Sequence, residues 1–217
     1  MDVSALMEMF VSYGFESDDE MTDEQKLLAL NETYWDVCSR EPWPWLETAY
    51  SFSFDGGDPS PNNPMTDLGA ITKVWRSADG AVLSPVRFDD FIEAYGSNLV
   101  VDDAPSYYYI QSSNTVQFYP RPRSSDLVNC QYLRVPAELT ELSVEADIVL
   151  PKRWHRGVLG IGTLARLALM QDDVDMSNAY ERLYEKSMAM MVGVEFKKQY
   201  DRPEYIHAYD ADNWDYS

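Results

Sequence analysis

Two histidines are the first place to look for proton chemistry. His155 stands in KRWHRG at the start of a helical stretch, and His207 lies in the C-terminal segment. Either could act as a general base near neutral pH, but no nucleophile motif accompanies them, and a surface histidine is the favoured reading of both. The paired acids Asp89-Asp90, Asp102-Asp103 and Asp172-Asp173 could hold a divalent cation. They lack the glycine-containing ligand spacing of a calcium loop, so they are expected to cap helices or solvate turns. GVLGIG, from Gly157 to Gly162, superficially resembles a phosphate loop. It falls inside a helical pattern rather than between a strand and a helix, and helix packing explains it better. Cys38 and Cys130 are the only cysteines, too few for a disulfide scaffold and without neighbours to complete a metal site. No catalytic residue, metal or cofactor is assigned. A hydrolase using paired carboxylates remains the enzymatic alternative.

The composition narrows the choice further. The 217 residues suit one domain, or one domain carrying an insertion. The net charge is −20, with 17 basic against 37 acidic residues. Phosphate binding needs clustered Lys and Arg, so such a chain is not expected to wrap nucleic acid. Its charge fits either a generic acidic protein or a surface that repels a polyanion or meets a basic partner. No apolar run approaches the length of a membrane span. MDVSALMEMF has no basic leader region and no cleavage-like site, so synthesis in the cytoplasm is expected.

The elements that must carry any function come in three blocks. Residues 2–13 predict a short helix with Val3, Leu6, Met7 and Phe10 on one face, ended at Gly14. Thr22 and Gln25 form a capping box for a helix from Asp23 to about Arg40, striped by Leu27, Leu30, Tyr34 and Val37. Pro42 stops it. The period then changes to two. TAYSFSF alternates Tyr50, Phe52 and Phe54 against small residues, and hairpins are expected with turns at Asp79-Gly80 and near Ser113-Asn114. FDDFIEAYG reads as a short helix ending at Gly96. LVNCQYLRVP closes a set of about six strands, enough for a small sheet or sandwich. Helical patterning returns at Pro151 through Leu159, Leu164, Leu167 and Met170, with Gly157, Gly160 and Gly162 suggesting close approach of another backbone. A last long helix is striped by Tyr180, Leu183, Tyr184, Ser187, Met191 and Val194.

The expected fold is α+β. A helical bundle comes from residues 1–47 and 136–199, a projecting β-rich insertion from 48–135, and a C-terminal arm from 200–217. In REPWPWLE, Trp43 and Trp45 would fill the junction where the chain leaves the bundle for the sheet, with the prolines fixing its direction. Two features ask for partners. Lys152, Arg153 and Arg156 crowd a helix N-terminus, where the dipole disfavours cations, so pairing with acids of a neighbouring subunit is expected. Tyr205, Tyr209, Trp214 and Tyr216 enrich a terminal segment that cannot bury them alone, which suits docking.

At this point the chain resembles a known family. LLALNETYWDVCSREPWPWLE resembles the early helix of head-to-tail adaptor (connector) proteins of tailed bacteriophages, which runs into a Pro-Trp corner and then a strand. VLPKRWHRGVLGIGTLARLALMQDDVDMSNAYERLYEKSMAMM resembles their paired C-terminal helices. Together the two stretches cover about a third of the chain. The resemblance implies a structural virion protein without an active site. It would sit in the neck between capsid and tail, as a ring of commonly twelve subunits beneath the portal protein. Tail or neck proteins would lie on the other side, genomic DNA would pass through without specific binding, and the C-terminal segment would reach the portal. The segment after Tyr200 departs from the family pattern. A tail-completion or stopper protein of the neck is the alternative virion role.

Overall fold

Asp2 and Thr22 start the two N-terminal helices of the computed structural model. Asp2 accepts from the Ala5 N–H at 2.9 Å and opens α1 (Val3–Ser12). Thr22 and Gln25 exchange both bonds of the capping box and open α2 (Asp23–Arg40). The structure describes residues 1–16, 21–54, 61, 65–90, 103–112 and 115–200. The chain divides into two compact units, Met1–Trp45 joined with the chain from Ala137 onward, and Leu46–Pro136.

The first unit is helical. Gly14 takes φ +96°, a left-handed turn that glycine enters freely, and ends α1. Val3, Leu6, Met9 and Phe10 are the buried face of α1. Met9 thus belongs to the core, whereas the expected Met7 is only half-buried. On α2 the buried set is broader than the expected stripe and includes Lys26, Asn31 and Thr33 beside Leu30, Tyr34 and Val37. Leu27 is half-buried.

The stretch from Pro151 is not one helix. A 3-10 turn (Lys152–Trp154) leads into a π-helical turn (His155–Gly160), and α-helix follows as α3 (Ile161–Met170). Gly160 and Gly162 are sites of close approach, but to side chains rather than to another backbone, whereas a Cβ on Gly157 would meet nothing nearer than 3.9 Å. A Cβ on Gly160 would fall 2.5 Å from Met9 Cε, and one on Gly162 would fall 2.7 Å from Thr33 Cγ2 and 2.9 Å from the Tyr184 ring. Asp172 at φ 57° and Asp173, which accepts from the Met176 N–H at 2.9 Å, turn the chain into α4 (Val174–Tyr200).

The stripe expected on α4 mixes two faces. Tyr184, Met188, Met191 and Glu195 are buried, whereas Leu183 and Val194 are 51% and 40% exposed. Residues 183 and 184 are 100° apart around a helix, so a stripe holding both spans more than the core needs.

The second unit is β-rich, and its described residues form six strands in two three-stranded sheets. β1 (Glu47–Ser53) and β2 (Leu68–Arg76) flank β6 (Leu127–Arg134), both antiparallel to it. β3 (Ser84–Pro85) runs parallel to β4 (Tyr107–Ser112), which pairs antiparallel with β5 (Thr115–Tyr119). Phe52, Phe54, Val74, Tyr108, Phe118 and Cys130 are among the residues of one core drawn from both sheets. Phe118 packs against Phe52 and Phe54 at ring separations of 5.0 and 5.3 Å. The turn at Asp79-Gly80 is as expected. Gly80 lies at φ +72°, Asp79 binds Arg76, and Val82 bridges back to Trp75. The parallel pairing of β3 was not visible in the sequence. Residues 88–90 begin helical, but the rest of FDDFIEAYG, the Ser113-Asn114 turn and most of the Gly56–Asp67 loop lie outside the described residues.

Candidate functional site

Three of the polar residues singled out for chemistry, His155, Asp103 and Asp173, serve the structure. His155 is 1% exposed, not a surface histidine as expected. The π-helical turn places its ring inward, with Nδ1 at 2.8 Å from the Met1 carbonyl and Nε2 at 2.7 Å from the Leu150 carbonyl. Neither nitrogen is left for a substrate. Asp173 caps α4, and Asp103 caps the Ala104 N–H at 2.8 Å and stands 3.5 Å from Arg123. Asp89 and Asp90 are exposed. Among the described residues, no group of three His, Cys, Asp or Glu side chains could hold a metal ion. His207 and Asp102 lie outside the described residues.

The basic cluster is divided. Lys152 pairs with Glu145 at 2.9 Å. Arg153 forks onto Glu195, which is buried on α4, and lies over the Trp154 ring at 5.4 Å. Trp154 Nε1 donates to the same carboxylate oxygen at 2.5 Å. Two donors therefore converge on one buried acid, which ties the 3-10 turn to the last turns of α4. Arg156 is exposed and makes no ion pair among the described residues.

The Pro-Trp corner is equally built. Pro42 forces Glu41 into extended backbone, with φ −145° and ψ 154°, and the chain doubles back on the end of α2. Trp43 is fully buried and donates Nε1–H to the Val37 carbonyl at 2.6 Å, which satisfies one of the orphan carbonyls of the helix end. Its ring stacks on Trp45 at 5.6 Å and meets Phe196 of α4 at 5.6 Å.

Several structural residues gave no sequence signal. Asp36 accepts from Arg40 Nη2 at 2.9 Å and from the Tyr184 hydroxyl at 2.7 Å, with Arg166 at 3.9 Å. Burial works to raise its pKa, but the Arg40 and Tyr184 hydrogen bonds and the two guanidinium charges outweigh it, so the carboxyl sits below its usual range. Burial, reinforced by the Asp36 bond, pushes the Tyr184 hydroxyl well up. Asn31 and Tyr34 hold the segment 139–149, with the Tyr34 hydroxyl accepting from the Val149 N–H at 2.9 Å. An i, i+4 pattern marks a helix face but does not say which polar side chains on it will meet a distant strand of irregular backbone.

Among the described residues, several large apolar side chains remain at the surface. Leu142 is 89% exposed, Val174 57%, Met190 55% and Leu183 51%. Among the described residues, no helix is long and apolar enough to cross a membrane. The arm residues Tyr205, Tyr209, Trp214 and Tyr216 lie outside the described residues. No curated protein matches the chain. The family model of the SU10 adaptor protein matches residues 1–206, nearly the whole length and both compact units. The chain therefore belongs to the SU10 adaptor protein family, a family of structural head-to-tail adaptors of bacteriophages.

Proposed function

We propose that the protein forms a ring, commonly of twelve subunits, in the neck of a tailed phage, joining the portal protein to tail or neck proteins. The observation that carries this reading is the family match across residues 1–206, which spans the helical unit and the β-rich unit alike. The ring would enclose part of the DNA channel. A chain of charge −20 gives passing DNA little to adhere to, since phosphate binding needs clustered cations. Residues 200–217 act as an arm on the portal, anchored by Tyr205, Tyr209, Trp214 and Tyr216. Arg156, with Lys152 and Arg153 beside it, faces acids of an adjacent subunit. Trp43 and Trp45 hold the point where the helical unit gives way to the β-rich one.

Electron microscopy of the full chain mixed with the portal protein of its own phage tests the reading. A ring seated on the portal is expected. Portal particles that stay bare at saturating protein, or virions whose head-to-tail junction lacks the chain, would overturn it. A chain cut after Gln199 should remain folded and lose portal binding.

A further inference from the structure

The helix α4 carries a second seam that the core uses only in part: Tyr180 meets Tyr13 edge-on at 6.3 Å, and Tyr180 and Ser187 are half-buried. Met176, Tyr180, Leu183, Ser187, Met190 and Val194 follow one another at alternating steps of four and three, the spacing of a coiled-coil stripe. Met176, Leu183, Met190 and Val194 are 39–55% exposed, while the core takes the neighbouring stripe through Tyr184, Met188 and Met191. The helix has 27 residues, about 40 Å of length, and the seam runs along most of it.

The charge beside this seam is distinctive. In the helical unit, Lys26, Arg40, Lys152, Arg153 and Arg166 all pair with acids of the same chain. Arg182, Lys186 and Lys197 on α4 are exposed and make no ion pair among the described residues, and Arg156 is alike. Among the described residues, the unit's free positive charge is thus gathered on α4 and on the π-helical turn, where a Cβ on Gly157 would lie 3.9 Å from Ser187 Oγ.

A surface of opposite character lies elsewhere on the same unit. Leu142, 89% exposed, stands beside a groove of about 290 Å³ lined by Ser4, Met7, Asp23, Glu141 and Leu142. Glu138 and Glu141 are exposed and make no ion pair among the described residues.

Resting on the reading of an oligomeric adaptor, we propose that the exposed α4 seam of one copy docks on the acidic ledge around Leu142 of the next. Both surfaces are apolar at the centre and opposite in charge at the rim, the pattern that sets partner choice and register. Pairing of two α4 seams would instead set Arg182 and Lys186 of one copy near their counterparts, and like charges in contact are unfavourable. Because each copy carries both surfaces, the contact is head to tail, and only closure of a ring satisfies every copy.

Full-length chains carrying L142C with L183C, and L142C with M190C, test this under mild oxidation, alone and with portal protein. The native Cys38 and Cys130 are buried and do not compete. Head-to-tail docking predicts a ladder of disulfide-linked multimers from at least one double variant and monomer from each single variant. Dimers from L183C or M190C alone would make the seam self-pairing and overturn the proposal. Rings seen by microscopy without a ladder would overturn it while leaving the adaptor ring intact. A ladder without portal binding would sustain the contact and remove the adaptor reading, and neither rings nor ladder would remove both. Independently, R182E/K186E should weaken assembly at least tenfold, and adding E138K/E141K should restore it. A fourfold variant no better than R182E/K186E would also overturn the proposal.

Discussion

The Asn31 side chain and the Leu139 main chain exchange two hydrogen bonds, at 2.9 Å from Nδ2 to the carbonyl and 2.8 Å from the amide to Oδ1. A helix side chain thereby takes the place of a neighbouring strand for a segment that has none. Both partners are buried, so Asn31→Ala leaves an amide and a carbonyl without partners. Each costs about 1–3 kcal/mol. Urea unfolding of the variant should show a midpoint lowered accordingly, and Asn31→Asp, which keeps the acceptor only, should also lose stability.

Trp43 combines a buried ring with the bond to the Val37 carbonyl. Trp43→Ala is expected to cost about 3–5 kcal/mol. Trp43→Phe keeps the aromatic packing against Trp45 and Phe196 and should lose about 1–2 kcal/mol, the hydrogen bond and part of the volume. Calorimetric melting of the two variants separates the contributions. Equal losses would show that the bond, not the packing, holds the corner.

Glu195 serves Arg153 and Trp154 together. Glu195→Gln retains one acceptor and should cost less than Glu195→Ala, which strands the Trp154 N–H at about 1–3 kcal/mol. Arg153 is 41% exposed and can turn to water, which limits the penalty from its charge. Chemical denaturation followed by tryptophan fluorescence checks the order.

Gly162 and Gly193 give opposite expectations for the same change. Gly162→Ala drives a methyl against Thr33 and Tyr184 and should destabilise by about 1–3 kcal/mol, even after the gain in helix propensity. A Cβ on Gly193 meets nothing within 4 Å, so Gly193→Ala should stabilise by up to about 1 kcal/mol. Melting temperatures should move in opposite directions.

Asp36 has a depressed pKa in the folded chain. Its contribution is therefore present above the unfolded value of about 4 and is lost as pH falls through the lower folded value. The stability gap between wild type and Asp36→Asn should be largest near neutral pH and shrink below about pH 4. A gap that widens in acid would contradict the assignment.

Where local rules decide, the sequence was readable. The capping box at Thr22, the stop at Pro42, the glycine turns and the alternation of Phe52 and Phe54 depend on neighbours within a few residues, and they appear as expected. Residues whose role depends on a distant partner were not readable. His155 sits inward because a π-helical turn carries it there, and no spacing announces such a turn. Lys26 is buried on a face that hydropathy would keep wet. The α4 stripe merged two faces because apolar residues alone do not say which neighbour covers them. Asn31, Asp36 and Glu195 act on partners more than a hundred, or tens, of positions away. Of the candidate surfaces, the basic cluster was visible, but the division of its members between internal pairs and Arg156 was not.

Each compact unit holds one buried cysteine outside any disulfide, Cys38 on α2 and Cys130 on β6, and burial pushes the Cys130 pKa up to about 12. A thiolate must form and meet solvent before it reacts. Alkylation of the native chain is therefore a clock for opening, with an independent hand in each unit. Mass spectrometry of the two peptides over time would report whether the helices and the sheets breathe together or apart, without a mutation.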